Sequence, residues 1–219
     1  MKPIVIINPN STQTVTDGMS DAVARLRVAG GPALECVTLA EGPPGIETQA
    51  HVDGVVAPIR DLVRARQHDA SAFVIACYSD PGLAEARAVG ARPVFGIAES
   101  AMLAATTRGS RFGVISILAA SVARHLRYVR ALGLESRSAG DRAIGLGVTE
   151  LADAERTVGR MVEVGRALRD EDGADVLILG CAGMARHRAR LEDALALPVV
   201  EPTQAATLLA LGAVLLEGA

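Results

Sequence analysis

Short runs of Val, Ile and Leu alternate along the chain with longer stretches in which apolar residues recur every three or four positions. The apolar runs fall at residues 4–7, 34–39, 73–76, 94–97, 113–117, 176–179 and 199–200, and the amphipathic stretches at 55–66, 81–89, 119–132, 154–169 and 186–195. Compact apolar runs of this kind suit strands covered on both faces, and the helical stretches between them supply the crossovers that parallel strands require. The pattern therefore predicts an α/β fold in which mostly parallel sheets are flanked by helices.

A duplication emerges when the two halves are superposed at an offset of about 105 residues. The run FVIAC at 73–77 falls on LILGC at 177–181, and Pro93-Val94 with Ala101, Leu103 and Ala105 falls on Pro198-Val199 with Ala206, Leu208 and Ala210. Two pseudo-symmetric lobes are expected, at 1–108 and 109–205, with residues 206–219 forming a terminal helix that packs back onto the first lobe to cover its apolar surface. No Ser- or Pro-rich linker separates the halves, so the boundary near residues 108–111 reads as a tight crossover.

Composition narrows the function. Half of the 219 residues are hydrophobic but only 2% are aromatic and none is Trp, so the interior is built from Ala, Val, Leu and Ile. A net charge of -3 leaves no basic footprint for phosphates, and the scarce aromatics offer no stacking platform; nucleic acid is not an expected partner. The apolar run at 4–7 is too short for a signal peptide. The uncharged stretch at 202–216 falls short of the ~20 residues of a membrane span, and Gln204 and Thr207 interrupt it. A cytoplasmic protein with a small-molecule substrate and no membrane partner is expected. Cys36, Cys77 and Cys181 are odd in number and lack C-x-x-C spacing, which points to reduced thiols and away from a disulfide or zinc framework. The four histidines show no ligand spacing, and Arg186-His187-Arg188 reads as a solvated helix face. Gly145-Leu146-Gly147 lacks the third glycine of a dinucleotide fingerprint. Neither a metal nor a cofactor is expected.

In parallel sheets the ligand crevice lies at the carboxyl ends of the strands, which is where Cys77 and Cys181 fall. An isolated cysteine is ordinarily a small buried hydrophobe, but equivalent placement in two repeats directs both thiols to one cleft. Each precedes a turn and a helix; Asp80 reads as the N-cap of the first, with Pro81 at its first position. A helix N-terminus beside a thiol favours the thiolate, which is expected to lower both pKa values towards neutrality. Cys36, inside an apolar run with no turn after it, is expected to be structural. A third strand end, Asn8 to Thr12, offers carboxamides and hydroxyls that fit either a helix cap or a cradle for carbonyl and imide groups. Ser116 holds the equivalent position in the second half and is a candidate for the same role.

Four segments together resemble the hydantoin and allantoin racemase branch of the aspartate/glutamate racemase superfamily: INPNST at 7–12, IACYSDPGL at 75–83, PVFGIAES at 93–100 and LGCAGM at 179–184. The resemblance spans nearly the whole chain. It implies a cofactor-independent racemase of two α/β lobes, a homo-oligomer, in which Cys77 and Cys181 exchange protons with a substrate held between the lobes. By the same match Asn10, Ser79 and Gly183 would contact the ring, Gly183 through its N–H. Amino-acid racemases of the superfamily follow the first cysteine with Asn-Thr and the second with Thr; here the loops read Tyr-Ser and Ala-Gly, and neither carries Lys or Arg beside the thiol. That favours a neutral ring over an acidic amino acid. Arylmalonate decarboxylases have Gly in place of the first cysteine, whereas this chain keeps both. An amino-acid racemase, a maleate-type isomerase and a non-enzymatic binding module are the alternatives. Segments 41–48 and 142–149, with few polar groups, are expected to line the pocket for the ring substituent, which favours alkyl hydantoins.

Overall fold

The structure, a computed structural model, describes residues 1–217; the last two residues of the predicted terminal segment lie outside the described residues. Eight strands form two four-stranded parallel sheets. The first contains β1 (Ile4–Asn8), β2 (Leu34–Thr38), β3 (Ala72–Ile75) and β4 (Val94–Gly96), in the order β2-β1-β3-β4. The second contains β5 (Phe112–Ser116), β6 (Ser138–Ala143), β7 (Val176–Leu179) and β8 (Val199–Val200), in the order β6-β5-β7-β8. The same strand order in both sheets gives the internal repeat its physical form. Seven strands match the apolar runs in position, and β6, with the sequence SAGDRA, is the one that the hydrophobic pattern misses.

Nine α-helices surround the sheets among the described residues: α1 (Gln13–Val23), α2 (Gln49–Gly54), α3 (Val56–Arg66), α4 (Leu83–Val89), α5 (Ile97–Thr106), α6 (Ala119–Ala131), α7 (Ala154–Asp170), α8 (Arg188–Leu195) and α9 (Pro202–Glu217). None is long and apolar enough to cross a membrane. Because side chains alternate across a strand, each sheet feeds two cores. Val5, Ile7, Phe73 and Ile75 pack with Ile59 and Val63 of α3, while Ile4, Ile6 and Val74 face the opposite way. In the second sheet Ile115, Leu177 and Leu179 pack with Met161 and Leu168 of α7 and Leu191 of α8.

The remaining sheet faces are covered crosswise. Helix α5 follows the first sheet in sequence, yet its Ala98, Ala101, Met102 and Ala105 pack against Phe112, Val114, Val176 and Ile178 of the second. Helix α9 follows the second sheet, yet its Ala206, Ala210, Leu211 and Val214 pack against Ile4, Ile6 and Val74 of the first. The two helices also pack on each other. Small Ala side chains let these backbones approach closely, which accounts for the Ala-rich pattern shared by the two segments.

Two local readings are corrected by this packing. Asp80 does not cap the helix that follows it, which starts at Leu83 with Gly82 before it. Instead Asp80, held at φ 42°, turns its carboxylate onto the start of α5 and accepts from Ala98 N and Glu99 N, both at 2.9 Å. Gly96 makes room for it, since a Cβ there would sit 2.2 Å from the carboxylate. His187 is not on a solvated face: it is buried in a 3-10 turn (Ala182–His187) and accepts from Arg186 Nε at 3.0 Å. Burial and the neighbouring Arg186 hold it down at about 4.

Candidate active site

Residues just beyond the carboxyl ends of β1, β3, β5 and β7, namely Asn10, Cys77, Ile117 and Cys181, meet at one cavity. Beyond β3, Ala76 N donates to Ile7 O and carries the chain to Cys77; beyond β7, Gly180 N donates to Ile115 O and carries it to Cys181, each bond 2.8 Å. Gly180 is needed for that approach, because a Cβ would lie 2.7 Å from Ile115 O. Both cysteines line one cavity together with Asn10, Ser79 and Gly183. The cavity holds about 30 Å³ and adjoins a cleft of about 350 Å³, the two sharing Val15, Val148, Ala182 and Gly183 as walls.

All three cysteines are free, and Cys77 and Cys181 are partly exposed through the cavity. The expected depression of their pKa values is not found. Burial pushes Cys77 up to about 12 and Cys181 up to about 11. The backbone N–H of Ser79 opposes this at Cys77, and that of Gly183 opposes it at Cys181. The N–H two residues beyond each thiol thus favours its thiolate. Negative charge disfavours both thiolates, from Cys181 and Asp80 at Cys77 and from Glu47 and Glu201 at Cys181, and only Cys77 has a cation, Arg124, that partly offsets it. Cys36 lies on β2 within the core of the first sheet, away from the cavity, and burial pushes it to about 11.

Asn10 is buried and its orientation is fixed by Asn8. Asn10 Oδ1 accepts from Asn8 Nδ2 at 3.0 Å and from Thr12 N at 2.9 Å, which leaves Nδ2 as the free donor of its amide. The Ser79 hydroxyl accepts from Arg124 Nε at 2.9 Å and keeps its own O–H to give. Arg124, on α6 of the second half, lines the cavity beside Cys77. Neither cysteine loop carries a cation in sequence, but the fold supplies one from the other lobe. The signal that could have found it is its place one helical turn into the segment after β5, where crossover helices face the ligand crevice.

The structure does not bring Ser116 to the cavity wall. It is fully buried at the end of β5, and its Oγ lies 3.1 Å from Nδ1 of His125, which does line the cavity. His125 Nδ1 also lies 2.9 Å from Asp141 Oδ2, a residue of β6, and its ring meets Tyr78 edge to face at 5.0 Å. Asp141 was missed by sequence reasoning along with β6, and His125, on the predicted helix at 119–132, was set aside for want of ligand spacing. Of segments 41–48 and 142–149, Ile46 and Val148 reach the cavity, and the two segments are joined by Val148 N donating to Glu47 Oε1 at 2.8 Å. Arg142 turns away to Asp172 and Glu171.

The cavity therefore has an apolar side of Val15, Ile46, Ile117 and Val148 and a polar side of Ser79, Ser121, Arg124 and His125, with one thiol from each half. Such an arrangement can pass protons to and from a small planar molecule set between the sulfurs. Among the described residues no three His, Cys, Asp or Glu side chains converge as a metal site.

The family model described as Asp/Glu/Hydantoin racemase matches residues 4–210. The chain is 34% identical over 209 residues to a hydantoin racemase of Paenarthrobacter aurescens, covering 93% of this chain and 87% of that one. It is 36% identical over 216 residues to a hydantoin racemase of Rhizobium meliloti, covering 94% and 86% respectively. Among solved structures, allantoin racemase from Klebsiella pneumoniae superposes with a TM-score of 0.92 at 30% identity, covering 99% of this chain and 89% of that one.

Proposed function

Because the chain belongs to the Asp/Glu/hydantoin racemase family, we propose that it racemises 5-substituted hydantoins or the related ring allantoin, by proton transfer at C5 between Cys77 and Cys181. The observation that carries this reading is the pair of thiols, one from the end of β3 and one from the equivalent end of β7, facing a single cavity. Inverting a carbon α to a carbonyl takes a base on one face and an acid on the other. One thiolate removes the C5 proton; the electron pair of the broken C–H bond passes into the C4 carbonyl as an enolate. The opposite thiol then returns a proton to the other face, and the two sulfurs end with their protonation states exchanged.

The enolate needs only hydrogen-bond donors, and the cavity wall has them in the free Asn10 amide and the Ser79 hydroxyl, with the Arg124 guanidinium behind Ser79. The apolar side, with Ile46 and Val148, suits an alkyl substituent better than the ureido group of allantoin, whose buried donors and acceptors would each cost about 1–3 kcal/mol if unpaired.

Purified protein incubated with one enantiomer of 5-isobutylhydantoin should lose optical rotation while the ring remains intact. Cys77→Ala and Cys181→Ala should each abolish racemisation, one of them still exchanging solvent deuterium into a single enantiomer, whereas Cys36→Ala should stay within a few fold. Both single variants racemising at near wild-type rate, or turnover of L-aspartate with no change in the hydantoin, would overturn the proposal. A tenfold preference in kcat/KM for allantoin would overturn only the choice of substituent.

A further inference from the structure

Of the polar groups around the cavity, Asn10, Ser79 and Arg124 present donors, while Ser121, whose O–H donates to Leu118 O at 2.7 Å, keeps acceptor capacity. Asn10 has its amide oxygen occupied by Asn8 and Thr12 and presents N–H; Ser79 accepts from Arg124 and presents O–H; Arg124 can only donate. Donors read carbonyl oxygens. A cyclic ureide alternates C=O and N–H around its rim, so a site that holds one also needs an acceptor for an N–H.

Ser121 offers one such acceptor, and His125 has the properties of a second, more rigidly held one. It is 97% buried, lies in the cavity wall, and its Nδ1 is fixed between Asp141 Oδ2 at 2.9 Å and Ser116 Oγ at 3.1 Å. Asp141 Oδ2 can accept the hydrogen of Nδ1, and with that nitrogen carrying the ring's proton the lone pair falls on Nε2. Asp141 and Ser116 are themselves buried, so the ring is held in one orientation from behind. Among the described residues nothing bonds Nε2, which lies on the side of the ring away from both holders.

We propose that His125 Nε2 accepts a hydrogen bond from a ring N–H of the substrate, and that this makes the enzyme selective for cyclic ureides whose ring nitrogens are unsubstituted. The inference rests on the racemase reading above and assigns a specificity-determining residue within that same site. Asp141 and Ser116 act through His125 as positioning residues, which gives β6, a strand at the sheet edge, a part in substrate choice.

The test compares kcat/KM for 5-isobutylhydantoin with that for its N1-methyl and N3-methyl analogues, followed by optical rotation, in wild type, His125→Ala, His125→Gln and Asp141→Asn. Wild type should reject at least one methyl analogue by roughly 100-fold, as a site built to pair an N–H rejects a ligand lacking it. His125→Ala should slow the parent hydantoin by about the same factor while changing that analogue only a few fold, so the ratio collapses. His125→Gln, whose amide oxygen can accept, should restore part of the ratio. Asp141→Asn can donate to Nδ1 and favour the other tautomer, and should lower the ratio without His125 being touched. Parent and analogue falling together in these variants, or an unchanged ratio, would overturn the role of His125 while leaving the racemase reading intact. Unchanged rotation of both 5-isobutylhydantoin and allantoin in wild type would overturn both.

Discussion

A thiol pushed up to about 11 or 12 is almost wholly protonated near neutral pH, yet the proposed exchange at C5 starts from one thiolate. The two cysteines share the main cause of the shift, burial, and each has anionic neighbours, Asp80 at Cys77 and Glu47 and Glu201 at Cys181, with Arg124 a partial offset at Cys77 alone. Deprotonation of either thiol in the free enzyme is therefore uphill at neutral pH and eases as pH rises. The sign follows directly, since below its pKa a thiol gains about tenfold in thiolate for each pH unit. We expect kcat/KM for hydantoin racemisation to climb steadily from pH 7 to pH 9, with alkylation of the cavity thiols by iodoacetamide climbing in parallel. A plateau reached below pH 8 in both measurements would contradict the burial of these groups. None of this was visible in the sequence, where a helix N-terminus next to each cysteine argued for a lowered pKa. The local dipole is present as the N–H groups of Ser79 and Gly183, but desolvation outweighs it. The positions of Cys77 and Cys181 were legible because they repeat; their surroundings were not, because Arg124, Glu47 and Glu201 arrive from elsewhere in the chain.

The elements that the hydrophobic pattern finds are those covered on both faces, and β6 escapes because it lies at a sheet edge, partly exposed along its length, with the polar Asp141 as a side chain it buries. Asp141, the carboxylate partner of His125, was lost with it. Asp80 shows the opposite failure: a correct signal, an acidic residue before Pro81, assigned to the wrong helix. Its carboxylate ties the Cys77 loop to α5 and, through Tyr128 Oη at 3.0 Å, to α6. Removing it in Asp80→Ala leaves two helix N–H groups and a phenol without their acceptor, each worth about 1–3 kcal/mol when buried. We expect that variant to unfold at markedly lower urea and to lose activity although Asp80 does not line the cavity. Burial also raises Asp80 from 3.8 to about 7. Between those values the folded chain keeps a proton that the unfolded chain has released, so its contribution to stability is full below about pH 4 and declines as pH rises towards 7. The stability advantage of wild type over Asp80→Asn, read from urea titrations by circular dichroism, should shrink between pH 5 and pH 7.5; an advantage that grows would refute the raised value.

The crosswise placement of α5 and α9 decides how the whole molecule behaves. A cut at the repeat boundary, after residue 108, leaves α5 with the first sheet in sequence while the surface it buries, Phe112, Val114, Val176 and Ile178, stays with the second. The same cut leaves Ile4, Ile6 and Val74 bare, because Ala206, Ala210, Leu211 and Val214 of α9 belong to the other piece. Each half therefore exposes one face of a sheet that is apolar on both, although each contains a full set of four parallel strands. The repeat in the sequence suggested two lobes with a terminal helix packed back on the first; the exchange of both α5 and α9 makes each lobe depend on the other for its core. It also fixes the seam at which Cys77 and Cys181 meet, since the sheets cannot separate without uncovering both faces. Expressed separately, residues 1–108 and 109–217 should be insoluble or lack cooperative unfolding, whereas the two expressed together should assemble and recover racemase activity. The intact chain should unfold in a single transition, with loss of far-ultraviolet circular dichroism and loss of activity coinciding along the urea axis. Two separated transitions, or a 1–108 fragment that is soluble and unfolds cooperatively by itself, would show that the exchanged helices contribute less than their buried positions require.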